Sequence, residues 1–192
     1  MMASMGRWKP NPRGRLVAAA LELYSDRGFE QTTVADIAQR AGLTERTFFR
    51  HFADKREVLF AGGDELQAGL LRALEQAPAS LSIIDAVGKA MESVGVLISV
   101  PRDFARRRLK IIAANPELQE RERVKLASIA AAFADALERR GAKRTAAMIA
   151  AEMGVAVFRI AFERWVGEKN KRDLAELVHE SFNEMKTVIG HS

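Results

Sequence analysis

The chain of 192 residues has no cysteine, which excludes disulfide cross-links, thiolate nucleophiles and cysteine-based metal sites. Histidine is almost as scarce. His51, His179 and His191 are scattered and no acidic cluster at ligand spacing joins them, so no metal site is expected. A Gly-rich phosphate loop is missing, as is any Ser/His arrangement that would mark a nucleophile and its base. Neither an enzyme nor a cofactor is therefore expected. No apolar run reaches the roughly 18 residues of a membrane span, and no signal peptide opens the chain. A cytoplasmic protein with no membrane partner follows as an expectation. Strand-like alternation and internal repeats are also lacking, which leaves an all-α fold.

The residues that are present fit a helical protein with a substantial core. Hydrophobic residues make up 48% of the chain, enough for one large or two small domains. The net charge is +5, and residues 1–60 carry ten Lys/Arg against seven Asp/Glu, so +3 of the excess lies in the first third. That excess is modest, and basic charge by itself says little about nucleic acid. The opening segment concentrates it: Arg7, Lys9, Arg13 and Arg15 precede the first acid, Glu22. Such an arm suits a phosphate backbone or a minor groove, and equally a disordered leader.

Proline and glycine punctuate about nine helices. Asn11-Pro12 reads as an N-cap followed by proline at N1, opening a helix with Leu16, Ala20 and Leu23 on one face and Gly28 at its end. Phe29 is placed to pack beneath it. A fourth helix is expected from Lys55, capped by Asp54 and Glu57, to about Gln76, and a fifth from Ser82 and Asp85 to about Ile98. Pro101 opens a sixth, Asn115-Pro116 a seventh ending at Gly141, with Leu126, Ile129, Phe133 and Leu137 on its buried face. An eighth spans about Arg144 to Val166 and a ninth about Asp173 to Ile189.

The most specific stretch lies between Thr32 and Lys55. Thr33 and Asp36 have capping-box spacing, and Val34, Ile37, Ala38 and Ala41 recur at helical intervals. Gly42 follows the last of these, where a left-handed C′ residue is easiest for glycine, and Leu43 suits the accompanying apolar contact. Thr44 N-caps a second helix whose Phe48 and Phe52 face inward. Glu45, Arg46, Thr47, Phe49, Arg50 and His51 occupy its outer sides. Two short helices held this way form a helix-turn-helix, whose second helix presents its N-terminal residues to base edges. The plainer alternative is a small helical hairpin with a charged outer face.

From about residue 12 to 60 the chain resembles the N-terminal domain of the tetracycline-repressor (TetR) family of bacterial regulators. The residues that carry the resemblance are Gly28-Phe29, Thr32-Thr33-Val34, Ile37-Ala38, Ala41-Gly42-Leu43-Thr44, Thr47-Phe48-Phe49, His51-Phe52 and Lys55. It implies residues 1–60 as a DNA-binding domain with a basic arm and 61–192 as a helical effector-binding and dimerisation domain. Together with side-chain chemistry it implies that Thr33, Thr44, His51 and Lys55 hold phosphates, while Arg46 and Thr47 read bases. Many members have tyrosine where this chain has Phe49, which cannot donate a hydrogen bond and is expected against sugar or a thymine methyl. Arg50 is a further DNA candidate or a solvated charge. The implied partners are palindromic double-stranded DNA, a small-molecule effector of unknown identity and a second copy of the chain.

In the remaining two thirds, the eighth helix is apolar nearly all round, with Ala147, Ala150, Ala151 and Gly154 at helical spacing. The ninth carries Leu174, Leu177, Val178, Phe182, Met185 and Val188. These two helices, about 144–166 and 173–189, are expected to form a four-helix interface between two copies; a large monomer core is the alternative. Met91, Val94, Phe104, Leu109, Phe133 and Phe158 are candidate walls of an effector pocket, or plain core. The run Arg106-Arg107-Arg108 reads as solvated surface, with one arginine available for an acidic effector. Three functional classes follow: a ligand-responsive repressor, an activator or effector-independent DNA binder of the same fold, and a helical carrier or enzyme.

Overall fold

A computed structural model describes residues 11–98, 100–167 and 172–190. The described residues form α-helices joined by turns, with one short 3-10 segment and no strand. In chain order the helices are α1 (Pro12–Arg27), α2 (Val34–Arg40), α3 (Glu45–His51), α4 (Gly63–Gln76), α5 (Ile83–Leu97), α6 (Arg102–Ala113), α7 (Pro116–Arg139), α8 (Arg144–Gly167) and α9 (Leu174–Gly190). They fall into two compact units. One contains the described residues up to Ala61 together with Arg107–Leu118; the other contains Gly62–Arg106 and the described residues from Gln119 onward. Residues 107–118, placed in the second domain by the sequence reading, thus cluster with the first.

The expected fourth helix is interrupted. Asp54 Oδ1 accepts from the backbone N–H groups of Arg56 and Glu57, closing a tight turn rather than a helix start. A 3-10 turn over Glu57–Phe60 follows, and Gly62, at φ 94°, resets the chain before α4 begins. Asn115 also departs from the expected cap: its Nδ2 donates back to the Ile111 carbonyl of α6 at 2.6 Å. The arginine run is not a solvated face throughout. Arg107 is exposed, but Arg108 Nε donates to the Leu59 carbonyl at 2.6 Å and its guanidinium lies over the Phe60 ring. Arg106 Nη2 donates to the Val166 carbonyl at 2.8 Å, serving the end of α8.

Within the second unit, glycines let helices meet closely. A Cβ on Gly95 would lie 3.0 Å from the Ala175 Cα, and one on Gly154 would lie 2.5 Å from Val87 Cγ1. The first contact seats α9 on α5 and the second seats α8 on α5. Ala147, Ala150 and Ala151 are buried with Gly154, and Leu174, Leu177, Val178 and Phe182 are buried on α9. These residues, expected to face a second copy, are core of their own unit. Although no uninterrupted apolar run reaches the length of a membrane span, α8 is by length and composition apolar enough to cross one, as core helices of soluble proteins also can be. Its apolarity has a simpler source, since one side supplies core and the other leaves Met148, Ile149 and Ile160 exposed.

Candidate DNA-binding surface

α2 and α3 have seven residues each, too short to be stable alone, so their ends and packing must hold them. Thr33 Oγ1 accepts from the Asp36 N–H at 3.1 Å, and Asp36 Oδ2 accepts from the Thr33 N–H at 2.9 Å and its hydroxyl at 2.7 Å. Those hydrogen bonds hold the Asp36 carboxyl below the ordinary carboxylate range, with Arg27 adding to the effect. At the other end Gly42 takes φ 63°, Leu43 N–H reaches the Ala38 carbonyl and Gly42 N–H the Gln39 carbonyl, both at 2.9 Å. That is a Schellman closure, and it turns the chain directly into Thr44, whose hydroxyl accepts from the Thr47 N–H at 3.2 Å. Phe48 is fully buried and packs edge-on against Phe49 and obliquely against Phe52. α3 is therefore fixed from beneath and at its front.

Two basic residues lock this arrangement in ways the sequence did not reveal. Arg15, expected on the basic arm, instead sends Nη2 to the carbonyls of Ala41 and Gly42 in the turn. Lys55 Nζ is ringed by the carbonyls of Phe29, Glu30 and Thr32 at 2.9, 3.3 and 3.1 Å, and sits 4.3 Å from the Phe29 ring centroid. The Lys55 carbonyl in turn accepts from the Tyr24 hydroxyl at 2.7 Å. Burial raises the Tyr24 pKa, and the nearby Asp54 raises it further, so the phenol stays a donor. Nothing in residue spacing announces these carbonyl clamps, because they join positions 23 to 27 apart.

The outward residues of α3 present a different chemistry. Among the described residues up to Ala61, Arg13 lies over Phe52, Arg27 pairs with Asp36, Arg40 with Glu22 and Asp26, and Arg56 with Asp54 and Glu117. Arg15 and Lys55 hold carbonyls. Arg46 and Arg50 alone in that span have no partner, and both are exposed. They stand one helical turn apart with Phe49, 55% exposed, beside them. Thr47 is half-buried, its Oγ1 3.1 Å from Thr44 Oγ1. His51 is half-buried and its Nε2 is enclosed without a hydrogen-bond partner. Arg7 and Lys9 lie outside the described residues.

A family model for bacterial regulatory proteins of the tetR family matches residues 16–61, and one for the MftR C-terminal domain matches residues 81–190. The chain belongs to the TetR family. Among curated relatives, TcmR of Streptomyces glaucescens is 40% identical over 82 residues, a match that spans 43% of this chain and 36% of that regulator. MftR of Mycobacterium tuberculosis is 25% identical over 171 residues, covering 86% of this chain and 85% of that protein. Among solved structures, the Thermus thermophilus FadR repressor in complex with lauroyl-CoA has a TM-score of 0.56 at 23% identity, covering 94% and 95% of the two chains. That likeness concerns the fold.

The six residues expected around an effector divide between core and partial exposure. Met91, Val94 and Phe133 are buried, while Phe104, Leu109 and Phe158 are half-buried. Leu109 belongs to the first unit and the other five to the second. Met91 fills the seam between α5 and α8, where its Cε would lie 3.1 Å from a Cβ on Gly154. Two hollows in the second unit are lined by other residues. One is a cleft of about 360 Å³ between α4 and α5. The other is an apolar groove of about 280 Å³ lined by Ile83, Ile84, Ala146, Ile149, Met153 and Ile189.

Proposed function

We propose that this TetR-family chain is a homodimeric, ligand-responsive repressor that binds a palindromic operator in double-stranded cytoplasmic DNA and leaves it when a small molecule binds. The observation that carries this reading is the pairing state of its N-terminal cations. Among the lysines and arginines described up to Ala61 only Arg46 and Arg50 are unpartnered, and they share the outer side of α3 with an exposed phenylalanine. A surface kept for solvent alone would not need Phe49 there. Arg46 reads a base edge at the front of α3, the guanine O6/N7 pair being its best match, with Thr47 beside it. Phe49 lies against a sugar or a thymine methyl, and Arg50 and Thr44 hold phosphates.

Thr33, His51 and Lys55 act by positioning in this reading. Both donors of Thr33 serve Asp36, Lys55 is saturated with carbonyls, and His51 Nε2 points inward. A second copy covers the outward side of α8 and the end of α9, where Met148, Ile149, Ile160, Val188 and Ile189 are exposed. Twofold pairing then presents two α3 helices to half-sites about one DNA turn apart, or a multiple of it. The effector favours a dimer state whose spacing no longer fits. A tenfold loss of operator affinity requires only about 1.4 kcal/mol of differential binding.

Gel shift with the DNA upstream of the protein's own coding region tests the reading. Binding should fall steeply with salt, and Arg46→Ala should lose about 1–3 kcal/mol of discrimination at one base position. Unchanged sequence preference in Arg46→Ala would remove the base-reading role. Lauroyl-CoA, the ligand of the Thermus neighbour, is a first effector probe. Transcription in vitro fixes the sign: a transcript that rises on operator binding would make the chain an activator.

A further inference from the structure

The cleft between α4 and α5 carries a feature that operator binding does not use. Its lining includes Gly69, Arg72, Gln76, Pro78, Lys89 and Ser93, and no acidic residue borders it. Arg72 and Lys89 are both exposed. Lys89 has two acids within helical reach on α5, Asp85 four residues before and Glu92 three after. Both are engaged by α9 instead: Lys186 Nζ lies 2.5 Å from Asp85 Oδ1, and His179 Nδ1 lies 2.6 Å from Glu92 Oε1. Asp85 is held below the ordinary carboxylate range by Lys186 first and Ser82 second, which keeps it committed to that pair. Lys89 is thereby left without a counter-ion. Arg72 is in the same state, since Glu75, three residues on, neither pairs with it nor lines the cleft.

The end of α4 would ordinarily oppose an anion here, because the last carbonyls of a helix carry partial negative charge. Arg140 removes that obstacle. Its Nη1 donates to the carbonyls of Leu74 and Ala77 at 2.9 and 3.0 Å, and its Nη2 to that of Pro78 at 3.0 Å. The cleft therefore combines two uncompensated cations and the Gln76 amide beside a neutralised helix terminus, the Ser93 hydroxyl being spent on the Lys89 carbonyl at 2.8 Å. The geometry points to a binding site for a phosphate group on this cleft, with Arg72 on α4 and Lys89 on α5 as its charged ligands. A phosphate monoester dianion matches two cations and offers oxygens to both, whereas a carboxylate satisfies one of them. An occupied cleft cross-links α4 to α5.

The test is a titration of the full chain with inorganic phosphate at fixed ionic strength, followed by amide chemical shifts. Saturable shifts should cluster at residues 69–78 and 89–93. The Arg72→Gln/Lys89→Gln double variant, altered only at exposed side chains, should bind phosphate at least about tenfold more weakly. Acetate at the same ionic strength should give no saturation. Shifts dispersed over the surface, equal binding by the double variant, or saturation by acetate at the same concentration would each overturn the assignment. No DNA enters the measurement, so its failure and that of the operator reading are separately visible.

Discussion

The two units reach rigidity by different means. Up to Ala61 the helices are short and their termini are individually secured: Thr33 and Asp36, the Gly42 turn, Thr44, and the carbonyl clamps of Arg15 and Lys55. In the second unit α5, α8 and α9 are long, and close packing through Gly95 and Gly154 adds to the caps at their ends. The contrast explains where charge is free. Among the described residues up to Ala61 nearly every cation is consumed by structure, so the two that remain on α3 mark the surface proposed for DNA. In the second, ion pairs along α9 leave one lysine of α5 unmatched. Counting basic residues thus says less than asking which of them already have partners.

The largest expected effect tests the packing of the first unit. Phe48→Ala removes a fully buried ring and should cost about 3–5 kcal/mol in chemical denaturation, with operator binding lost as α3 comes loose. Gly154→Leu tests the second unit, because its Cβ alone collides with Val87. About 1–3 kcal/mol of destabilisation is expected, read from the denaturation midpoint; a neutral result would mean that α8 and α5 are not held so closely. Lys55→Met removes the donor to three carbonyls while keeping the stem. A loss of about 1–3 kcal/mol, with faster amide exchange at residues 29–33, would confirm the clamp. A full-length-stable variant that lost only affinity for DNA would restore Lys55 to direct phosphate contact.

Thr33→Ala should cost about 1 kcal/mol through loss of the cap to Asp36. The smallest effect concerns pH. The Asp36 carboxyl is lowered in the folded chain, so its contribution is present above the ordinary carboxylate range and is lost as pH falls through the lowered folded value. Acid titration followed by the Thr33 amide signal should show that loss, and Asp36→Asn should abolish it.

Much of the first unit was legible in sequence because its signals are local. The Thr33–Asp36 spacing, Gly42 and Thr44 act within four residues, and each does in the fold what its spacing implies. The Asp54–Glu57 spacing implies a helix from Lys55 but fits a tight turn equally, and the Gly62-Gly63 break carries more weight. Small residues on α8 were visible, but which helix they admit was not: Gly154 receives Val87 and Met91 of the same chain. The candidate pocket residues suffered the same ambiguity, since a buried methionine reads alike as core and as ligand wall.

What the residues alone determined is the all-helical character, the turn at Gly42 and the outward set Arg46, Phe49 and Arg50, all of them consequences of periodicity and capping over a few positions. The tertiary structure decided which charges are free. Arg15 and Lys55 reach carbonyls 23 to 27 residues away, and Asp85 and Glu92 are claimed by α9 from 101 and 87 residues away, respectively. A charge is available to a ligand only when no nearer group has neutralised it, and nearness across such distances is set by how the helices pack.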